Sequence, residues 1–243
     1  MDSFRGKRAF VTGGGTGIGR GIVLKLAELG AEVYAVGRRE EHLSSLRKEN
    51  PKINTIQLDV TDWNQTRETV EKLTPIHLLV NNAAIALLNS VLEATPEEFD
   101  TSFNLNVKAV INITQTMAKG LISKKESGCV VNLSSQASHL ALRNHLIYCS
   151  SKASLDMLTK SFALELGPHN IRVNAVNPTV VMTDMGKIGW SDPAKAAVML
   201  SRIPQGRFAE VEEVVNAVIY LLSDRSEMIN GHALPVDGGF LAC

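Results

Sequence analysis

Thr12-Gly13-Gly14-Gly15-Thr16-Gly17-Ile18-Gly19 follows the short apolar run Lys7–Thr12 and leads into Ile18–Leu29, where apolar residues recur at helical spacing until Gly30. A strand, a glycine turn and a helix are therefore expected in that order. The unpaired amides and positive end of such a helix attract phosphate, and glycines let the backbone approach a pyrophosphate closely. The spacing is Gly-x-x-x-Gly-x-Gly, not the Gly-x-Gly-x-x-Gly of the common dinucleotide fingerprint, yet the strand-turn-helix setting that fingerprint requires is present.

Working outward, Glu32–Gly37 reads as a second strand and Glu40–Glu49 as a charged helix stopped at Asn50-Pro51, which completes a β-α-β unit. Strands follow at Thr55–Asp59, His77–Asn81, Cys129–Ser134, Ile171–Asn177 and His232–Val236, separated by helices near Asp62–Leu73, Glu97–Ser123, Asn144–Leu166 and Val211–Leu222. This alternation specifies an α/β protein, a doubly wound domain of residues 1–243 whose seven-stranded parallel sheet is flanked by helices. The rhythm breaks at Pro178–Arg207, placed between a strand and the helix that should follow it. With a helical piece at Asp192–Leu200 and Trp190 in an aromatic-poor region, it is expected to be a substrate lid at the carboxyl edge of the sheet.

At 243 residues the chain can bury a sizeable core. Lys plus Arg is 25 and Asp plus Glu is 25, with no basic block, so nucleic acid and anionic membrane are poor partners. Met1–Arg8 lacks the apolar run of a signal peptide, and no apolar stretch approaches the ~20 residues needed to span a bilayer, so a cytoplasmic protein is expected. Cys129, Cys149 and Cys243 are an odd number without metal-ligand spacing; reduced thiols and no metal are expected.

The residues after the second strand usually select the cofactor. Gly37-Arg38-Arg39 stands there instead of an acid, and guanidinium groups match a 2′-phosphate in charge and geometry, which favours NADP(H) over NAD. Asp59, with Val60 beside it, is placed to accept a hydrogen bond from an adenine amino group, or to cap the helix beginning near Asp62. Asn81-Asn82-Ala83-Ala84 ends the fourth strand, where asparagine amides can tie loops together beside a nucleotide. Asn106, inside the helix expected over Glu97–Ser123, needs a partner: it either holds a water reaching Lys152 or satisfies its own helix backbone.

Ser135 lies thirteen positions before Tyr148, and Lys152 lies four after it on the same helix face. An ammonium beside a phenol favours the phenolate, so a tyrosine of lowered pKa is expected. His145, Leu142 and Trp190 are the candidates, with Ser135 and Tyr148, for a substrate pocket.

Taken in order, Thr12-Gly-x-x-x-Gly17-x-Gly19, Asp59, Asn81-Asn82-Ala83, Asn106, Ser135, Tyr148-x-x-x-Lys152 and Pro178 through Thr183 resemble the classical short-chain dehydrogenases/reductases over essentially the whole chain. The resemblance implies a Rossmann-type fold, a homotetramer, and Asn106, Ser135, Tyr148 and Lys152 as a catalytic tetrad. It also implies cofactor contacts at Gly13, Thr16, Gly17, Ile18, Gly19, Arg38, Arg39, Asp59, Val60, Asn82, Ala83, Tyr148, Lys152, Pro178, Val181 and Thr183. Ala84 and Thr179 depart from the family's usual glycines. With the segments Asn81–Leu88, Asn177–Thr183, Trp190–Pro193 and Gly238–Cys243, they resemble a branch that reduces ketoses and small α-dicarbonyls with NADPH. A 3-oxoacyl-thioester or hydroxysteroid-type reductase of the same family is the rival enzyme, and a non-catalytic NADPH-binding regulator the rival of another class.

Overall fold

Strand β1 (Arg8–Thr12) is buried along nearly its whole length, as a strand covered on both faces must be. In the computed structural model, which describes residues 3–242 apart from the side chains of Met185 and Lys195, β1 is flanked by β2 (Glu32–Gly37) and β4 (Leu78–Asn81). β3 (Asn54–Gln57), β5 (Gly128–Leu133), β6 (Ile171–Pro178) and β7 (Ala233–Val236) complete a sheet of order 3-2-1-4-5-6-7. All six pairings are parallel, and the fold is the Rossmann-type arrangement expected.

Each face carries its own core. Helices α1 (Gly17–Glu28) and α9 (Val211–Leu222) cover one face through Ile22, Val23, Leu26, Val214 and Val218. On the other, α3 (Trp63–Lys72), α5 (Ala109–Lys124) and α6 (Leu146–Leu166) contribute Val70, Ile113, Met117 and Ala163. Helix α2 (Glu40–Glu49) follows β2 and buries Leu43 and Leu46. Asp62 caps α3 by accepting from the Gln65 amide, so the capping role considered for Asp59 belongs to its neighbour.

The long helix expected over Glu97–Ser123 is interrupted. It consists of α4 (Pro96–Phe103), opened by a Thr95/Glu98 capping box, a π turn at Asn104–Lys108, and α5. Such π turns recur at functional sites because they locally re-aim side chains and backbone. Asn106 sits in the middle of this one.

The chain winds outward in opposite directions from β1 and β4, which opens a crevice beyond their carboxyl ends. The segment after β6 contains two short helices, α7 (Asp184–Gly189), which is additional to the helical piece expected, and α8 (Pro193–Leu200). Thr183 caps α7 and Asp192 caps α8. A small separate core of Ala196, Ile203, Phe208 and Phe240 lies under them. No helix among the described residues is long and apolar enough to cross a membrane. Cys129 and Cys149 are free thiols, and Cys243 lies outside the described residues.

Candidate active site

The glycine turn after β1 is locked to the end of β4 by side chains. Thr12 Oγ1 accepts from the amides of Asn82 and Ala83, both at 3.0 Å, while Asn82 Nδ2 donates to the carbonyls of Thr12 at 2.9 Å and Gly13 at 3.2 Å. Gly13 has φ +65, a left-handed backbone that favours glycine. Gly19 is required for another reason: a Cβ there would lie 2.2 Å from the Gly13 carbonyl oxygen and 2.5 Å from Asn82 Nδ2. The helix start and the turn therefore press together, as a backbone cradle for phosphate demands.

Beyond this cradle lies a cavity of about 350 Å³, lined by Gly13, Thr16, Arg38, Arg39, Asp59, Val60, Asn82 and Ala83 among others. Arg38 reaches toward Asp59, with Nη1 at 3.9 Å from Oδ2, an exposed and therefore weak pair that leaves the guanidinium available to an anion. Asp59 Oδ1 accepts from the amide and hydroxyl of Thr61, at 3.0 and 2.8 Å. The cradle, the cationic rim and the apolar wall at Val36, Leu43 and Leu58 fit a dinucleotide. Gly17, Ile18 and Gly19 lie outside the lining, and Ile18 packs on the core, so any contact there is through backbone. Pro178 ends β6 and is buried, Val181 bridges to Ala209, and Thr183 Cγ2 is 3.1 Å from where a Gly17 Cβ would be. The start of the segment after β6 thus closes against the glycine turn.

Ser135, Tyr148, Leu142, His145 and Trp190 come together around a second cavity of about 550 Å³. Ser134 and Ser135 point apart, as strand alternation requires: Ser134 Oγ donates to the Lys152 carbonyl, whereas Ser135 lines the cavity with Tyr148. His145 stands before α6 with its ring 6.2 Å from that of Tyr148, edge-on. Its Nδ1 lies 2.6 Å from the Arg143 carbonyl, an acceptor only, so Nδ1 is the donor in this contact.

Lys152 is 2% exposed; its Nζ donates to the Leu133 carbonyl at 2.7 Å and stands 5.8 Å from the Tyr148 ring centroid. Burial pushes this ammonium down to about 8, opposed by the charge of Asp156. The lowered tyrosine pKa expected from the helical spacing is not found. Burial pushes the Tyr148 phenol above its ordinary value, the hydroxyl of Ser135 acts in the other direction, and the lysine ammonium is turned toward Leu133. A phenol so placed holds its proton at neutral pH.

Asn106, 1% exposed, meets neither of the two expectations with its side chain. Oδ1 accepts from the Ile85 amide at 2.9 Å, and Nδ2 donates to the Ile85 carbonyl at 2.9 Å and to Ser151 Oγ at 3.0 Å. The amide binds the loop after β4 to α6, and both of its N–H groups are used.

The family profile described as "Enoyl-(Acyl carrier protein) reductase" matches residues 13–241. Identity of 58% to L-xylulose reductase of Mesocricetus auratus extends over 236 residues, 97% of each chain. The chain is a short-chain dehydrogenase/reductase. D-erythrulose reductase of Gallus gallus is 54% identical over 98% of this chain and 97% of its own. The structure of gluconate 5-dehydrogenase from Burkholderia cenocepacia, in complex with NADP and tartrate, superposes with TM-score 0.93 at 30% identity, covering 100% of this chain and 98% of that one. This short-chain dehydrogenase/reductase is therefore an oxidoreductase that acts on CH–OH and carbonyl groups and uses a nicotinamide cofactor.

Several residues of this dehydrogenase/reductase's cavities escape a reading of its sequence. Gln136 and Thr179 line the substrate-side cavity, are buried, and leave Gln136 Oε1 and Thr179 Oγ1 without a hydrogen-bond partner among the described residues. Their signal was adjacency, to Ser135 and to Pro178. His42 enters the nucleotide-side cavity from α2, its Cβ 3.0 Å from where a Gly15 Cβ would be. It lies in the first turn of α2, four positions after Arg38.

Proposed function

We propose that the protein is an NADPH-dependent carbonyl reductase that converts L-xylulose to xylitol and reduces small α-dicarbonyls, with Tyr148 as proton donor. The observation that carries this reading is the half-buried, protonated Tyr148 beside Ser135 in a cavity also lined by Gln136 and Thr179, whose Oε1 and Oγ1 have no hydrogen-bond partner among the described residues. Buried polar atoms of that kind suit hydroxyl groups of a small polyol, and the names of the L-xylulose and D-erythrulose reductases support a ketose. NADP over NAD is supported by Arg38 and Arg39 on the rim and by the NADP of the gluconate 5-dehydrogenase structure.

When bound, a reduced nicotinamide supplies the hydride. Tyr148 then gives its phenolic proton to the oxygen of the ketone as negative charge develops there, and Ser135 donates a hydrogen bond to that oxygen and orients it. Lys152 stabilises the resulting tyrosinate and would hold the nicotinamide ribose hydroxyls with the N–H groups not engaged by Leu133. The Asn106 amide is fully used, so a water relay to Lys152 would be anchored by the main chain of the π turn. Gly13, Thr16, Gly17, Ile18 and Gly19 would cradle the pyrophosphate, Asp59 and Val60 the adenine, and Asn82, Ala83, Pro178, Val181 and Thr183 the remainder of the cofactor.

The whole chain serves as one catalytic unit in this reading, with 178–207 as the lid over the substrate. It assembles as a homotetramer, for which exposed apolar residues on α6 such as Met157, 60% exposed, and Leu164, 80% exposed, offer a surface. Free Cys129 and Cys149 suit the cytoplasm. The match to the enoyl-(acyl carrier protein) reductase profile keeps an acyl-thioester reductase as the second reading. NADPH oxidation with L-xylulose, diacetyl and acetoacetyl thioesters separates them: the expected result is at least about tenfold higher kcat/KM for the first two, about 1.4 kcal/mol in transition-state binding. Preference for the thioester would overturn the assignment, and no oxidation with any of them would point to a regulator.

A further inference from the structure

The substrate-side cavity contains two arginines and, among the described residues, no acid: Arg143 in the turn before α6 and Arg202 after α8 are both part of its lining. Neither guanidinium is engaged in an ion pair or hydrogen bond with a described residue. Arg202 lies 4.3 Å from the centroid of the Phe240 ring, a contact that fixes the flat of the group and leaves its N–H edge free. Five other arginines, by contrast, are engaged: Arg8, Arg20, Arg47 and Arg207 each pair with a glutamate, and Arg172 donates to three carbonyls.

Both residues are exposed, one belonging to the body of the protein and one to the segment after β6, and the cavity they line has apolar residues at Leu88, Leu142, Trp190 and Met199. The backbone at Arg143 is held, since His145 Nδ1 donates to its carbonyl. A planar guanidinium is suited to a carboxylate, which it binds through paired hydrogen bonds. We propose that Arg143 and Arg202 are specificity-determining residues that admit carbonyl substrates carrying a carboxylate at the end remote from the reacting carbonyl, small oxo acids and oxidised aldonic acids. The inference rests on the carbonyl-reductase reading of this cavity and extends its substrate class from neutral to anionic compounds.

An oxo acid and its own methyl ester, levulinate and methyl levulinate, differ by this charge and one methyl group. Their affinities for the NADP-loaded protein, measured by calorimetry, and their kcat/KM values are expected to favour the acid by at least about tenfold. Arg143→Gln and Arg202→Gln should each reduce that acid-to-ester ratio, the double variant should bring it near one, and Arg143→Lys should retain part of it. Because the ratio is taken within one preparation, partial misfolding of a variant cancels. Equal affinity for acid and ester in the unaltered protein, or an unchanged ratio in the double variant, would overturn the proposal. Failure to reduce L-xylulose or diacetyl would instead overturn the underlying reading, and the calorimetric ratio would still decide the arginines.

Discussion

The two cavities adjoin along the loop after β4, where Ala83, Ala84 and Ile85 line the nucleotide side and Ala86 and Leu88 the substrate side, yet they are made of different material. The phosphate end of the nucleotide side is backbone: a glycine turn, a helix start and the Thr12–Asn82 hydrogen bonds that clamp them. On the substrate side the wall is side chain, contributed by the turn before α6 and by a segment with its own small core. A backbone cradle tolerates almost no substitution and recognises what dinucleotides have in common; a side-chain wall can be altered residue by residue and sets which carbonyl enters. The difference explains how one scaffold is shared by enzymes with different substrates.

Gly19→Ala attacks the cradle directly. Its Cβ would fall 2.2 Å from a backbone oxygen, so the turn must move, and NADPH affinity measured by fluorescence titration should fall at least about tenfold, with a lower melting temperature. Unchanged affinity would show that the cradle is less constrained than its geometry requires. Trp190→Ala addresses the wall instead. Trp190 packs on Phe208 with ring centroids 5.4 Å apart, and its loss should raise KM for L-xylulose roughly three- to tenfold, about 0.7–1.4 kcal/mol, while KM for NADPH hardly moves. Equal changes in both constants would erase the distinction between the two sides.

The same contrast governs what could be read in advance. All seven strands are legible because each is a short apolar run bounded by turn residues, and the sheet order follows from their right-handed parallel connections. Arg38, Arg39, Asp59 and Asn82 are legible because the fold places the ends of β2, β3 and β4 on one edge. The π turn is not, because one extra residue per turn leaves the apolar periodicity of 97–123 nearly intact. Helix α7 is six residues long and contains two glycines, too short to show a period. The direction of the Tyr148 shift was misread for a physical reason. Sequence spacing puts Lys152 on the same helix face, but it says nothing of the Leu133 carbonyl that draws the ammonium away or of the burial that outweighs it.

Tyr148 borders the substrate-side cavity, one helical turn from the buried Lys152, and Tyr148→Phe removes the proton donor while keeping the ring. The decisive measurement is NADPH binding and L-xylulose reduction by this variant, side by side. Affinity for NADPH within about twofold of the unaltered protein, together with a fall in kcat of about 10²–10⁴, is the predicted result. Turnover near the original level would contradict the assignment of Tyr148 as the acid.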